Sequence, residues 1–277
     1  MADLFHRASS FLFSLPGTLP PSLRQPSNNV RLTVSALSAT ILAVTVPRIY
    51  RDYKTFLSYG PGGVPYNFLG WFGVSVIMRP WAREMLSTEP YNHLIAAGET
   101  TSYLTDEVVQ GKKRDRPEVG PHIAPQRQLT EFPPEEIKKK LDADFYALAS
   151  RNQHLIKLSP SHVELHADAF FLADGLSPSP IAQQMKGEIA HIHHLKDFSL
   201  HLTLAPADCK KIIENGWGQR HKLSGVKIPR ALFAGRDISI PLEYVFIYAP
   251  RTEEEVAFVM EIVVASVKFM TGAVEVR

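Results

Sequence analysis

The chain has 277 residues, a length that fits one large domain or two small ones and can bury a substantial core. It is 45% hydrophobic and 21% charged, and its formal net charge of +2 gives no electrostatic case for nucleic-acid binding. The single cysteine, Cys209, excludes an intrachain disulfide and a cysteine-based metal site, so we interpret it as an apolar core residue.

The N-terminal region predicts a leader followed by a membrane anchor. Residues 1–30 are rich in proline, serine and asparagine, which is typical of a flexible leader. The uncharged stretch 32–47 lies between Arg31 and Arg48 and predicts an uncleaved membrane-anchor helix over residues 31–50. The stretch is shorter than the ~20 residues of a straight membrane span, and a buried helix of a soluble protein is the alternative. We therefore expect membrane lipid as a partner and an endomembrane as the location.

Residues 51–130 predict a membrane-proximal region of helices and loops. Within it, the apolar residues 68–78 include Trp71 and predict either a segment along the membrane surface or a core element. Residues 111–134 are rich in proline, glycine and charge, which predicts a long ordered loop or a linker.

Residues 131–277 predict an α+β domain in which helices cover an antiparallel sheet. Pro133 and Pro134 precede a helical pattern, and residues 206–215 and 253–270 predict two further helices. Alternation of apolar and polar residues predicts strands in four segments: HVELHADAFFL, GEIAHIHH, FSLHLTL and PLEYVFIYA.

Eleven histidines are present, and their positions along these strands are informative. Alternation places His191 and His193 on one face of their strand. If HLKD forms the turn, Ser199 and His201 of the return strand project from the same face. In this antiparallel register His191 stands opposite His201 and His193 opposite Ser199, with Cβ atoms roughly 5 Å apart.

Two other segments carry candidate polar residues. In HVELHADAFFL, alternation predicts that Glu164, His166 and Asp168 share one strand face. In GWGQRH, Arg220 and His221 follow a turn that contains glycine.

Such a cluster has three interpretations. The imidazoles can ligate a metal, with Glu164 or Glu188 completing the shell, or one of them can act as a general base. The third interpretation is a hydrogen-bonded polar patch without chemistry. The HxH pair lacks the glycine spacing and following glutamate of a cupin motif, so we expect no metal and keep a bound metal as the lesser alternative.

No GxSxG elbow, P-loop or dinucleotide fingerprint is present in the sequence. An enzyme built on this chain would therefore depend on acid/base groups and on the reactivity of the substrate itself.

Five segments are specific enough to suggest a family: EIAHIHHLKDFSLHLTLAPADCKKIIENGWGQRHKLSG, YVFIYAPRTEEEVAFVMEIVVASVKFMTG, YRDYKTFLSYGPGGVPYNFLGW, RPEVGPHIAPQRQ and HVELHADAFFL. Together they cover most of residues 48–272, and the chain resembles the fungal luciferase family. Three parts depart from the luminous members of that family: the hairpin turn His194-Leu195-Lys196 differs, residues 226–241 are longer, and the proline-rich leader is extended.

The resemblance implies a membrane-associated, cofactor-independent oxygenase that acts on an α-pyrone, 3-hydroxyhispidin, with dioxygen as co-substrate. Dioxygen adds to the ring, and the strained peroxide loses carbon dioxide and leaves an excited product that emits light. Most members of the wider family are not known to emit light, so membership alone does not establish emission.

The candidate site residues follow from the strand faces and from this resemblance. As a hypothesis, the base that forms the pyrone enolate is His191, His193 or His201. Arg220 and His221 hold the developing negative charge. The predicted substrate-binding residues are Glu164, His166, Glu188, Ser199, Trp217 and Tyr248, of which Trp217 and Tyr248 belong to the GWGQRH and YAPR motifs.

Two alternatives stay open from the sequence. One is a non-luminous hydrolase or oxygenase that acts on a related phenolic compound or lactone, and the other is a membrane-bound protein that binds a small molecule without turnover. An enzyme is expected to gather His191, His201 and Arg220 around an apolar-walled cavity. The sequence does not define the oligomeric state.

Overall fold

The fold is described from a computed structural model, in which residues 27–229, 231 and 238–277 are described. The predicted flexible leader therefore lies almost wholly outside the described residues, as does part of the stretch 226–241. The chain divides into two compact units, Met1–Asp52 and Tyr53–Arg277.

Helices and strands alternate irregularly along the described residues. The helices are α1 (Asn28–Ser58), α2 (Phe68–Phe72), α3 (Glu89–Ala96), α4 (Asp106–Val109), α5 (Glu135–Arg151), α6 (Pro180–Gln184), α7 (Pro206–Glu214) and α8 (Glu253–Thr271). The strands are β1 (Ile156–Pro160), β2 (Asp168–Leu172), β3 (Glu188–Ile192), β4 (Leu200–Thr203), β5 (Gly218–Arg220), β6 (Val226–Ile228), β7 (Ile238–Ile240) and β8 (Tyr244–Ile247). A π-helical turn, Gly73–Ile77, continues α2.

Helix α1 contains the predicted anchor and extends beyond it at both ends. It has 31 residues and continues through Pro47. None of the residues in its most apolar 18-residue window is buried. By length and composition the helix can cross a membrane, although signal sequences and core helices of soluble proteins meet the same criteria.

A six-stranded sheet with the order β1-β2-β3-β4-β8-β5 forms the centre of the second unit, and all its neighbouring strands are antiparallel. Strands β6 and β7 pair separately. The predicted antiparallel sheet is confirmed, and so is the predicted hairpin register. His191 pairs with His201, and the backbone N–H of His193 donates to the carbonyl of Ser199 at 2.9 Å.

Helices α5 and α8 cover one face of this sheet, which we call the helix face. Phe145 of α5 stacks on Phe170 of β2 with ring centroids 3.7 Å apart. Ser266 of α8 donates a hydrogen bond to the carbonyl of Thr203 in β4 at 2.8 Å. Burial of these aromatic and aliphatic side chains supplies most of the driving force for folding this layer.

The predicted ends of the helices are confirmed. Pro134 is the N-cap of α5, where a residue without a backbone N–H is tolerated. Gly216 and Gly272 follow α7 and α8 with φ of +79° and +74°, a left-handed conformation that favours glycine.

The opposite face of the sheet, the site face, carries His191, His201 and Phe246, because paired residues of adjacent antiparallel strands project to the same side. A second apolar cluster, formed largely by residues before the sheet, adjoins this face, and its members Met78 and Leu223 line the same cavity as His201.

The apolar segment 68–78 belongs partly to that cluster. Trp71 and Met78 are buried, which confirms a core role for one side of the segment. Phe68, Leu69 and Phe72 are exposed, and contact of this side with a membrane surface stays a prediction.

The prediction of one long strand over HVELHADAFFL is wrong. Strand β2 begins only at Asp168, and Ser161 interrupts the extended conformation because its Oγ accepts the backbone N–H groups of Val163 and Glu164. Glu164 is therefore buried while His166 is exposed, so the two do not share a strand face.

Candidate active site

Four buried imidazoles form a cluster on the site face: His191 and His193 from β3 and the turn after it, His201 from β4, and His221 after β5. Ring centroids are 5.2 Å apart for His191 and His193, 5.0 Å for His193 and His201, and 5.4 Å for His201 and His221. The hairpin register and the antiparallel pairing of β4 with β8 bring these rings together. We refer to these four residues as the histidine cluster.

A carboxylate fixes the orientation of His191. Its Nδ1 lies 2.7 Å from Oε1 of Glu188, and this oxygen also accepts a hydrogen bond from Ser161 Oγ. The other carboxylate oxygen, Oε2, accepts the backbone N–H of His162. Burial opposes ionisation of Glu188, but these hydrogen bonds and the attraction of His191 hold its pKa below the ordinary value. An ionised carboxylate only accepts, so Nδ1 of His191 carries a proton and, in the neutral ring, Nε2 is an acceptor.

A serine and an aspartate fix His193 in the same way. Ser199 Oγ donates its proton to Oδ2 of Asp197 at 2.8 Å, and therefore accepts the Nδ1–H of His193 at 2.9 Å. Burial raises the pKa of Asp197 to about 6, so this carboxyl is still mostly ionised near neutral pH. Burial also lowers the pKa of His193 well below its ordinary value, which leaves a neutral ring whose Nε2 is an acceptor.

His201 and His221 are opposite tautomers. Nδ1 of His201 lies 3.1 Å from the carbonyl oxygen of Val245, which can only accept, so Nε2 of His201 is an acceptor. The backbone N–H of Leu223 donates to Nδ1 of His221 at 3.1 Å, so His221 carries its proton on Nε2. Burial lowers the pKa of His221 to about 4 and that of His201 well below its ordinary value, and both rings are neutral at physiological pH. The pair thus offers one proton acceptor and one proton donor.

A buried arginine adjoins the cluster. Arg127 is 1% exposed, forms an ion pair with Glu164, and donates to the backbone carbonyl of Gln126 at 3.0 Å. It belongs to the segment 111–134 that was predicted as a loop or linker. Neither Arg127 nor Asp197 was predicted as a site residue. For Arg127 the available signal was its position in RPEVGPHIAPQRQ, one of the segments that resemble the luciferase family.

A cavity of about 260 Å³ opens between the sheet and the preceding segment. Its polar lining includes Arg127, Glu164, His193, His201 and His221, and its apolar lining includes Met78, Leu223 and Ile240. Larger depressions of about 460 and 550 Å³ lie elsewhere, and neither contains a member of the histidine cluster. The side chains that line this cavity, rather than its volume, therefore identify it as the candidate active site. Catalytic sites combine apolar walls with a few convergent polar groups.

The structure does not bring Arg220 to the cluster. Arg220 lies in β5 opposite Val245, so its side chain projects toward the helix face. Its neighbour Gln219 pairs with Phe246 and projects toward the site face instead. The prediction that Arg220 and His221 act side by side was based on adjacency in sequence, and in a strand adjacent residues point to opposite faces.

The remaining predicted residues divide into two groups. Glu164, Glu188 and Ser199 contact the histidine cluster or its immediate partners. Trp217 instead packs on Phe258 of α8, with ring centroids 4.6 Å apart.

Tyr248 lies beside the cluster rather than in the cavity. Its hydroxyl donates to Oε1 of Gln219 at 3.0 Å, and its ring contacts Phe246, which in turn contacts His193 and His201. His166, the last predicted residue, is exposed and separate from the cluster.

Comparisons with known proteins place the chain in a family. The sequence model of the Luciferase domain family matches residues 186–266, which include all four clustered histidines. The chain is 37% identical to a luciferase of Armillaria gallica over 86% of this chain and 88% of the relative. It is 34% identical to a luciferase of Neonothopanus nambi over 89% of each chain, and 35% identical to a luciferase of Armillaria mellea over 88% of this chain and 90% of the relative. No solved structure matches the chain.

These relatives and the family model define the class of protein as an oxygenase-type enzyme, an oxidoreductase of the luciferase kind. The chain belongs to the fungal luciferase family.

Proposed function

We propose that this protein is an oxygenase that adds dioxygen to an α-pyrone of the 3-hydroxyhispidin type, with loss of carbon dioxide and emission of light. The observation that supports this function best is the pair of opposite tautomers at the cavity. An acceptor nitrogen on His201 and a donor nitrogen on His221 are the two groups needed to form an enolate and stabilise it.

In this proposal His201 is the base. Of the three histidines predicted for that role, His193 and His201 line the cavity, and of these two only His201 has its Nδ1 fixed by a group that cannot donate. Nε2 of His201 accepts the proton of the pyrone hydroxyl. Burial makes the isolated imidazolium unfavourable, but the enolate formed beside it compensates the charge.

His221 stabilises the negative charge of the enolate. Its Nε2–H donates to the substrate oxygen on which charge develops, and its low pKa keeps the ring neutral. The electron-rich enolate then reacts with dioxygen directly, and the ring peroxide loses carbon dioxide. Both atoms of dioxygen are incorporated into the products, and one carbon leaves as carbon dioxide. This series of reaction steps needs no flavin, haem or nicotinamide.

The test is to supply 3-hydroxyhispidin to the purified full-length protein and to record oxygen uptake and luminescence together. Light with oxygen consumption supports the proposal. Oxygen uptake without light indicates a non-luminous oxygenase, and ring opening without oxygen uptake indicates a lactone hydrolase. Tight substrate binding without any of these changes indicates a binding protein.

We also propose that α1 anchors the protein in an endomembrane. Three features support this role: the length of the helix, its apolar stretch of 18 residues of which none is buried, and arginines at positions 31, 48 and 51. Full-length protein is expected to resist extraction by alkaline carbonate and to require detergent. Replacing Leu37 and Leu42 by arginine is expected to release it, and replacing them by isoleucine is the matched control. Release of the wild-type chain by carbonate would contradict the proposal.

A further inference from the structure

Three ligand-type atoms converge beneath the cavity. One ring nitrogen each of His191 and His193 and a carboxylate oxygen of Glu164 all lie within 4.8 Å of one another. The three residues are no more than 4% exposed, and neither Nε2 has a hydrogen-bond partner among the described residues. Three acceptors that face one another without a donor are unfavourable in a buried place, because buried polar atoms normally have a partner.

The surroundings of the two histidines are those of metal ligands. Glu188 holds Nδ1 of His191, and Asp197 holds Nδ1 of His193 through Ser199. Carboxylates placed on the outer nitrogen fix the tautomer and direct the other nitrogen toward a metal ion.

Glu164 has one oxygen available for the same centre. Arg127 pairs with Oε1, while Oε2 lies 3.9 Å from Nε2 of His193. The ion pair thus orients the carboxylate and leaves its second oxygen beside the imidazoles.

The local charge also favours a cation. Glu164, Glu188 and Asp197 carry three formal negative charges, and Arg127 supplies one positive charge, paired with Glu164. These three carboxylates and one guanidinium give a formal excess of two negative charges. A divalent ion compensates this excess.

We propose that His191, His193 and Glu164 form a binding site for a divalent first-row transition-metal ion whose remaining coordination positions face the cavity. Two histidines and one carboxylate are a ligand set that iron(II) and its neighbours in the series accept. Metal–ligand distances of about 2.1 Å require the three atoms to approach by roughly 1 Å. His191, His193 and Glu164 would hold the ion, which would supply Lewis-acid polarisation of a substrate oxygen, while His201 and His221 stay free for proton transfer.

This inference departs from the sequence-based expectation of no metal. That expectation followed from the missing cupin spacing around the HxH pair, although Glu164 was already named as a residue that could complete a metal shell. The site does not depend on the reaction proposed above, because metal binding is measured without substrate.

The experiment measures metal in the full-length protein purified in detergent without chelators. Elemental analysis by mass spectrometry is expected to show about one transition-metal ion per chain. After removal of the metal with dipicolinate, titration with cobalt(II) is expected to produce visible absorption bands that saturate at the same stoichiometry. Absence of metal together with absence of cobalt binding would overturn the proposal.

Variants locate the ion. His191→Ala and His193→Ala are expected to lose at least about tenfold in cobalt affinity. Glu164→Gln, which retains an acceptor for Arg127, is expected to weaken binding without unfolding the chain. His221→Ala changes the same cavity outside the ligand set and is expected to bind cobalt like the wild type. Unchanged affinity in His191→Ala, His193→Ala and Glu164→Gln alike would place any bound metal elsewhere and contradict the assignment.

Discussion

At the scale of single residues, one neighbour determines which nitrogen of each clustered histidine carries its proton. Val245 offers only a carbonyl to His201, and Leu223 offers only an N–H to His221. The two rings are close in space and similarly buried, yet they present an acceptor and a donor. Their different roles therefore follow from backbone groups, which no side-chain motif reveals.

Replacing His201 by glutamine is expected to lower turnover about 10²- to 10⁴-fold, because the base that accepts the enol proton is lost. Oxygen uptake with 3-hydroxyhispidin measures the effect, and circular dichroism verifies the fold. His166→Gln is the matched control, since His166 is exposed and outside the cluster, and its turnover is expected to equal that of the wild type. Equal activity of both variants would exclude His201 as the base.

The pKa of His221 predicts how stability depends on pH. The value is about 4 in the folded chain against an ordinary 6.5, so the unfolded chain binds more protons between these values. The free energy of unfolding is therefore expected to fall as the pH decreases from about 6.5 to 4, by about 2 kcal/mol between pH 7.5 and pH 5 from this residue alone. Urea unfolding at both pH values measures the change, and His221→Gln is expected to lack this part of it. Identical pH dependence in the two proteins would contradict the assignment.

At the scale of elements, the histidine hairpin and three helices could be predicted because their patterns are strong. Strict alternation and the HLKD turn determine the pairing of β3 with β4, and prolines and glycines mark the ends of α5, α7 and α8. Strands β1 and β5 were not predicted. β5 has only three residues, too few for a periodic signal.

The candidate site could be predicted only in part, and the limit is physical. His191, His193 and His201 share one hairpin, so local periodicity is sufficient to place them on one face. Glu164 was predicted as a site residue but from a strand face that it does not occupy, and Arg127 was not predicted. Both come from irregular segments whose positions depend on long-range hydrogen bonds. One such bond runs from the N–H of Gln128 to Asp197 at 2.6 Å, and no periodic pattern encodes it.

The contact of α5 with the sheet gives a prediction at this scale. Phe145→Ala is expected to lower the free energy of unfolding by about 3–5 kcal/mol, because it leaves a cavity where the ring stacks on Phe170. Turnover per folded molecule is expected to stay near the wild-type value, since this contact lies on the helix face. Tyr146→Phe, at the more exposed neighbouring position, is the control and is expected to change stability by less than about 0.5 kcal/mol. A smaller loss in Phe145→Ala than in the control would contradict the assigned packing.

At the scale of the whole molecule, the site depends on residues that are far apart in sequence. The pair Arg127–Glu164 connects the segment before the sheet with the turn before β2, and both side chains are buried. Removing one partner leaves a buried charge without compensation, which is more unfavourable than removing both.

Arg127→Gln alone is expected to lower the free energy of unfolding by about 3–5 kcal/mol, because Glu164 then lacks its partner. Combining it with Glu164→Gln is expected to recover a substantial part of that loss, since two amides can form a hydrogen bond without charge. Urea unfolding of the wild type, the two single variants and the double variant measures the coupling. Strictly additive effects would mean that the pair does not act as a unit.

The position of this pair has a practical consequence for anyone who shortens the chain into a genetically encoded light reporter. The family match at residues 186–266 contains every clustered histidine, so a fragment cut to those limits would look complete by sequence. It would nevertheless lack Arg127, Glu164 and the wall of the cavity that surrounds them. A trimmed reporter should therefore begin before α2, so that the residues leading into this helix are kept. Fragments that start at the matched domain should give dark, insoluble protein.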